Sequence, residues 1–181
     1  MTELADHDAL NIIPFARQTF TRSVNNYKQA TDGLAEEQVF WQPSSDTNSI
    51  GWLGWHLSRR KDYYSSKLTD DTQTWVRGGW YERFGMNDVE TGTGHTLEEV
   101  AAFHPPLDLL LAYIEAVNED GLARLDRIDA STMDDEVELD AGRGMKPRHT
   151  CWNPMLSDCL QHTGQIAYVR GLITGKGWFA V

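Results

Sequence analysis

Positive charge is scarce in this chain. Sixteen Lys and Arg residues stand against 27 Asp and Glu, a formal net charge of −11 over 181 residues. A nucleic-acid backbone is bound by clustered cations. Here the basic residues come only in short groups such as Arg59-Arg60-Lys61, which speaks against nucleic acid as a partner. Long apolar runs are lacking too. None approaches the roughly 18 residues that a membrane-spanning helix needs, so no membrane association is expected. The first residues, Met1 to Asp8, are acidic, and no uninterrupted apolar stretch follows them, which argues against a secretory leader. Cysteine is limited to Cys151 and Cys159, eight residues apart. In one helix that spacing is about 12 Å of rise, too far for a disulfide between them. A reduced, cytoplasmic protein is the expectation. The Gly-x-Ser-x-Gly elbow, the Walker loop and the dinucleotide glycine fingerprint are all absent, which removes the hydrolase and nucleotide-binding classes that depend on them. No internal repeat or low-complexity segment is found.

Tryptophan, by contrast, is abundant. There are seven, of which Trp41, Trp52, Trp55, Trp75 and Trp80 fall within 40 residues. At this density they pack a core, line a pocket or build a dimer interface. The length suits a single domain over residues 1–181.

Apolar periodicity predicts four long helices. The first runs from about Ile12 to Thr31, with Phe15, Phe20, Val24 and Tyr27 as its stripe, Pro14 in its first turn and Gly33 ending it. Leu34–Trp41 adds a short turn. The second helix, capped by Asn48 or Ser49, runs to about Leu68. From Thr69 to His95 the chain is rich in glycine and carries Trp75, Trp80, Tyr81 and Phe84, a long aromatic loop expected to fold over the mouth of a pocket. Thr96-Leu-Glu-Glu99 is a capping box opening a short helix. Pro105-Pro106 lead into the third long helix, to about Ile128. Ser131–Arg148 is a surface connection with room for a short extended pair. The fourth helix starts near Thr150 or Asn153-Pro154 and stops at Gly175, and the tail with Trp178 is expected to tuck against the bundle. The expected fold is an all-α four-helix bundle with a long connection between the second and third helices.

The chemistry sits in two of these helices. Asp158 and His162 are four residues apart, so both leave one face of the last helix. His56 lies inside the apolar run Asn48-Ser-Ile-Gly-Trp-Leu-Gly-Trp-His56. Two imidazoles and a carboxylate from facing helices are a donor set for a transition metal in a bundle core. Each residue also has a plain structural reading: His56 as a hydrogen-bonded core histidine, Asp158 as a solvated or salt-bridged helix carboxylate. Gln165, one turn beyond His162, either hydrogen-bonds the site or caps a polar seam. Cys159 points about 100° away and is read as packing. Arg170 is read as pairing with an acid on another helix. His149, His104, His95 and His7 fall in loops or at a terminus, where solvation is the rule, with His149 the spare ligand candidate.

The pattern Trp41-x-Pro43, then Asn48-Ser-Ile-Gly-Trp-Leu-Gly-Trp-His56-Leu-x-Arg59, then His162-x-Gly-Gln165-Ile-x-x-x-Arg170-Gly-Leu, resembles the DinB-like (YfiT-like) superfamily over most of the chain. The resemblance implies a four-helix bundle, often dimeric. It implies a metal site with one histidine from the second helix and a His-x-x-x-His pair from the last. Members with known activity include S-transferases of bacillithiol and mycothiol and a mycothiol-dependent isomerase. His56 and His162 match ligand positions, and Asp158 replaces the first histidine of the pair. The implied protein is a homodimeric, metal-dependent transferase or hydrolase acting on a small-molecule substrate. Its divalent ion, zinc or nickel, is held by His56, Asp158 and His162, with a low-molecular-weight thiol as a second cofactor. Asp158 serves as the third ligand or as a base acting through bound water. The electrophile lies under the Trp75–Phe84 loop, with Arg59 or Arg77 available for a carboxylate. The alternative is a non-catalytic, dimeric binding or stress-related bundle in which the aspartate marks a degenerate metal site.

Overall fold

Two glycines let neighbouring aromatic rings lie directly on the second long helix. The computed structural model describes residues 3–139 and 143–175, with side chains from Ile12 onward. In it α3 (Ile50–Thr69) lies against α1 (Glu3–Thr31) and against Phe40, which follows the short α2 (Glu36–Val39). A Cβ on Gly51 would sit 2.2 Å from the Phe40 ring, and one on Gly54 would sit 2.0 Å from the ring of Tyr27. Only glycine lets these rings lie on the α3 backbone. Ser49 caps α3, its hydroxyl accepting from the Trp52 amide at 3.1 Å. Nearly every residue of α3 is buried, charged ones included, because it packs against α7 (Leu107–Leu125) and α8 (Trp152–Thr174) on its other sides. α1 also packs on both, which closes the expected four-helix bundle.

The long connection carries α4 (Thr74–Arg77), α5 (Trp80–Arg83) and α6 (Leu97–Ala102). It is anchored by Asp62 of α3. Its carboxylate accepts from the backbone amides of Thr74 and Trp75, both at 2.8 Å, and pairs with Arg59 at 3.2 Å and Arg124 at 2.9 Å. The capping box of α6 forms as read: Thr96 Oγ1 accepts from the Glu99 amide, and the Thr96 amide donates to the Glu99 carboxylate. The extended pair is a hairpin, β1 (Glu136–Leu139) antiparallel to β2 (Gly144–Pro147).

Several expectations are corrected. α1 begins well before Ile12, so Pro14 lies inside the helix rather than in its first turn. Lacking an N–H, it leaves the carbonyl four residues earlier without a helical donor. Phe15 is half exposed, and the buried stripe of α1 is Ala16, Phe20, Val24 and Tyr27, a spacing that keeps the 3.6-residue period. Pro154 lies within the first turn of α8, which a turn of 3₁₀ helix over Arg148–Cys151 precedes. The tail with Trp178, and the side chain of His7, lie outside the described residues.

Candidate metal centre

His56 projects from α3, and Asp158 and His162 from α8. Their ligand atoms all lie within 4.8 Å of one another, and the two imidazole centroids are 5.1 Å apart at 77°. His56 is buried, and its ring stacks on Trp52 at 4.7 Å and 11°. Its Nδ1 faces the Thr91 carbonyl at 2.6 Å. A carbonyl only accepts, so Nδ1 carries the proton and the Nε2 lone pair is left for the site. His162 repeats the arrangement: its Nδ1 meets the Gln165 amide oxygen at 2.7 Å, so its Nε2 is free as well. This is the outer-sphere pattern that orients metal-binding histidines.

Burial lowers the His56 pKa to about 4, with the neighbouring His162 and Arg60 acting in the same sense and the Thr91 carbonyl and Asp158 opposing. His56 is therefore neutral at physiological pH, the form in which imidazole binds a metal. Asp158 accepts from Arg60 Nε at 2.7 Å through one carboxylate oxygen. Arg60 in turn donates to the Tyr64 hydroxyl at 2.9 Å, which fixes the carboxylate's orientation. The donor set of two neutral imidazoles and one carboxylate suits zinc, nickel or ferrous iron. Ligand atoms at about 2.0–2.2 Å from one ion are at most roughly 4.4 Å apart, so the set is close to the span of a coordination sphere.

Other predicted residues fall elsewhere. Arg59 is not available to a substrate: it is fully buried, and its guanidinium is taken up by Asp62, Tyr113, Gln73 and the Glu90 carbonyl. Arg77 pairs with Asp120. Arg170 donates to the Ala30 carbonyl at 3.1 Å, near the C-terminus of α1, rather than to an acid. Cys159 packs as read, and it and Cys151 are both free and buried. His149 is exposed beside Asp134 and outside the cluster.

The Trp75–Phe84 segment does not roof the site. Trp75, Trp80 and Phe84 all pack on Tyr113, with ring centroids 5.1–5.6 Å away, so these aromatics extend the core. The roof is Glu90–His95. His95, read as a solvated loop histidine, is turned inward. It stacks on Trp55 at 5.6 Å, accepts from Trp52 Nε1 at 3.1 Å and meets Glu90 at 3.2 Å. Nothing in the sequence distinguishes it from His104. Gly92 makes the roof fit: at φ +78° a Cβ there would come 2.9 Å from His56 Nδ1 and 2.7 Å from Trp55.

A family model described as the DinB superfamily matches residues 19–166. Among solved structures, a conserved protein of Enterococcus faecalis superposes with a TM-score of 0.78 at 24% identity, covering 91% of this chain and 98% of that one. At that identity the likeness speaks for the fold. No curated protein matches.

Proposed function

This chain belongs to the DinB superfamily, and from that premise we propose that it is a metal-dependent enzyme acting on a small molecule, with His56, Asp158 and His162 as its ligands. One observation carries the reading. Both imidazoles donate their Nδ1 proton to an acceptor, which leaves each Nε2 with a lone pair, and one ligand atom from each histidine and from the carboxylate lie within 4.8 Å of one another. Unneutralised, such lone pairs repel one another, and a cation relieves them. A divalent ion supplied there offers Lewis acidity and lowers the pKa of a bound water or thiol. The protein's own residues do the rest. Thr91 and Gln165 hold the rings, Arg60 orients Asp158, and the Glu90–His95 roof with Trp52 keeps water from the His56 side. Asp158 has a second oxygen beyond the one bonded to Arg60, which serves as ligand or as proton acceptor.

The reaction class is transfer to or from a low-molecular-weight thiol, in a homodimer working in the cytoplasm. The half-exposed Phe15 and the exposed Leu160 and Tyr168 on α1 and α8 supply apolar surface for a second copy.

A second reading also has an observation behind it. The Arg60–Asp158 pair satisfies the carboxylate without a metal, as a non-catalytic binding bundle with a degenerate centre would. Metal analysis of freshly purified protein separates the two. About one zinc or nickel per chain, together with thiol consumption when an electrophile is added, is expected for the enzyme. A metal-free protein that also fails to take up either ion on addition supports the degenerate bundle.

A further inference from the structure

Beside the proposed metal centre, between α3, the Glu90–His95 roof and the β-hairpin, lies a cavity of about 260 Å³. Arg60, Tyr63, Thr91, Thr93 and Arg143 are among its lining residues. We infer that this cavity is the subsite for a carboxylate carried by the substrate, with Arg143 and Arg60 as its recognition groups. The inference rests on the metal-centre reading for its place in catalysis, though not for the anion binding itself.

Charge is the first argument. The chain carries −11 overall, yet two guanidinium groups meet here on one phenol oxygen. Arg60 and Arg143 both donate to the Tyr64 hydroxyl. Asp158 offsets Arg60. Glu90 also lines the cavity, but its Oε1 is turned onto the amides of Thr91 and Gly92, each at 3.0 Å, and onto His95 at 3.2 Å. Those contacts hold its charge on the roof's own backbone. Among the described residues Arg143 meets the neutral Tyr64 hydroxyl and no acid, so its guanidinium at the cavity wall has no counter-charge, and an anionic ligand supplies one.

The second argument is geometric. A guanidinium presents planar paired donors that match a carboxylate, and the Thr91 and Thr93 hydroxyls, 3.1 Å apart, add short polar side chains at the same wall. At 260 Å³ the space is below the range of drug-sized ligand pockets, so the ligand is small. Position is the third argument. Arg60 bonds the proposed ligand Asp158, and the Thr91 carbonyl bonds the proposed ligand His56. A carboxylate seated here puts the atoms next to it beside the metal centre. Sequence reasoning assigned this role to Arg59 or Arg77. The structure moves it one residue along α3 and onto the hairpin.

The test is calorimetric titration of chelator-treated full-length protein with succinate, and separately with inorganic phosphate, at fixed ionic strength. The proteins are wild type, Arg143→Gln, Arg143→Lys and Thr93→Val. Arg22→Gln serves as a control for the loss of one charge, since Arg22 lies on α1 away from the cavity. Saturable succinate binding is expected. Arg143→Gln should weaken it about tenfold to a hundredfold, the range for a lost charge-assisted bond. Arg143→Lys should recover part of that, Thr93→Val should lose severalfold, and Arg22→Gln should match wild type. Nickel affinity should be the same in Arg143→Gln as in wild type. Succinate binding that ignores Arg143, or falls equally in Arg22→Gln, overturns the inference. So does phosphate binding that depends on Arg143 while succinate shows none. Because no metal is present, success here survives failure of the metal reading. Nickel binding without any succinate binding fails only the subsite.

Discussion

His56 owes its chemical state to a carbonyl 35 residues away in sequence, that of Thr91, whereas the partner of His162 is a neighbour on its own helix. The nearer partner is the easier to test. Gln165 is exposed, so Gln165→Leu should leave the melting temperature nearly unchanged while weakening nickel binding about tenfold to a hundredfold. Unchanged nickel affinity would show that the hydrogen bond does not orient the ligand. Lys61 offers a stability prediction. It is fully buried, with its Nζ 3.2 Å from Asn118 and 4.9 Å from the Phe20 ring centre. Burial lowers its pKa to about 8, with Cys159 and Asp62 opposing. Below pH 8 both folded and unfolded chains carry the charge, and the cost of burying it is fully present. Between pH 8 and the unfolded value near 10.5, the folded lysine has released its proton while the unfolded one keeps it. Stability from this group therefore rises with pH, by up to about 3 kcal/mol. The buried cysteines act in the opposite sense, since burial raises both thiols to about 11. The readout is therefore the difference between wild type and Lys61→Met in urea unfolding from pH 7 to 10.5. The advantage of the methionine variant should shrink as pH rises. A constant difference would mean that Lys61 titrates normally.

At the scale of elements, α3 holds both the core and the site. Its Asp62 ties down α4 and compensates two buried arginines. Asp62→Ala strands the charge of Arg59, while Arg124 keeps Asp120 at 2.7 Å, and should cost about 3–5 kcal/mol, measured as a lower urea midpoint. A loss under 1 kcal/mol would show that water reaches the network. The Glu90–His95 roof is held by Gly92, so Gly92→Ala should lift it from His56 and weaken nickel binding while the bundle's helical circular dichroism persists. Wild-type affinity would show that the roof does not position the ring. These elements also show what the sequence makes legible. Ser49, the Thr96–Glu99 box and the four apolar stripes are local signals, and they carry the bundle. The four-residue spacing of Asp158 and His162 carries half of the centre. The choice of Arg60 over Arg59 is not local. Adjacent helix residues point about 100° apart, and which of them meets α8 depends on the packing of both helices. His95 is hidden for a similar reason, because its burial follows from where a glycine-rich loop lands on Trp52 and Trp55. The aromatics of Trp75–Phe84 read as a lid only until Tyr113 is seen beneath them.

For the molecule as a whole, the proposed second copy predicts a mass of twice 20.5 kDa by light scattering. Leu160→Glu, on exposed α8 surface, should return it to the single-chain value. A single-chain mass for wild type at micromolar concentration would remove the dimer and leave the metal centre untouched. That centre is the core of the account, and one measurement addresses it directly: calorimetric titration of nickel into chelator-stripped wild type and His162→Ala. One ion per chain is expected for wild type, with at least a tenfold loss of affinity in the variant. Equal heats for the two proteins, or no saturable binding by wild type, would contradict the metal-centre reading.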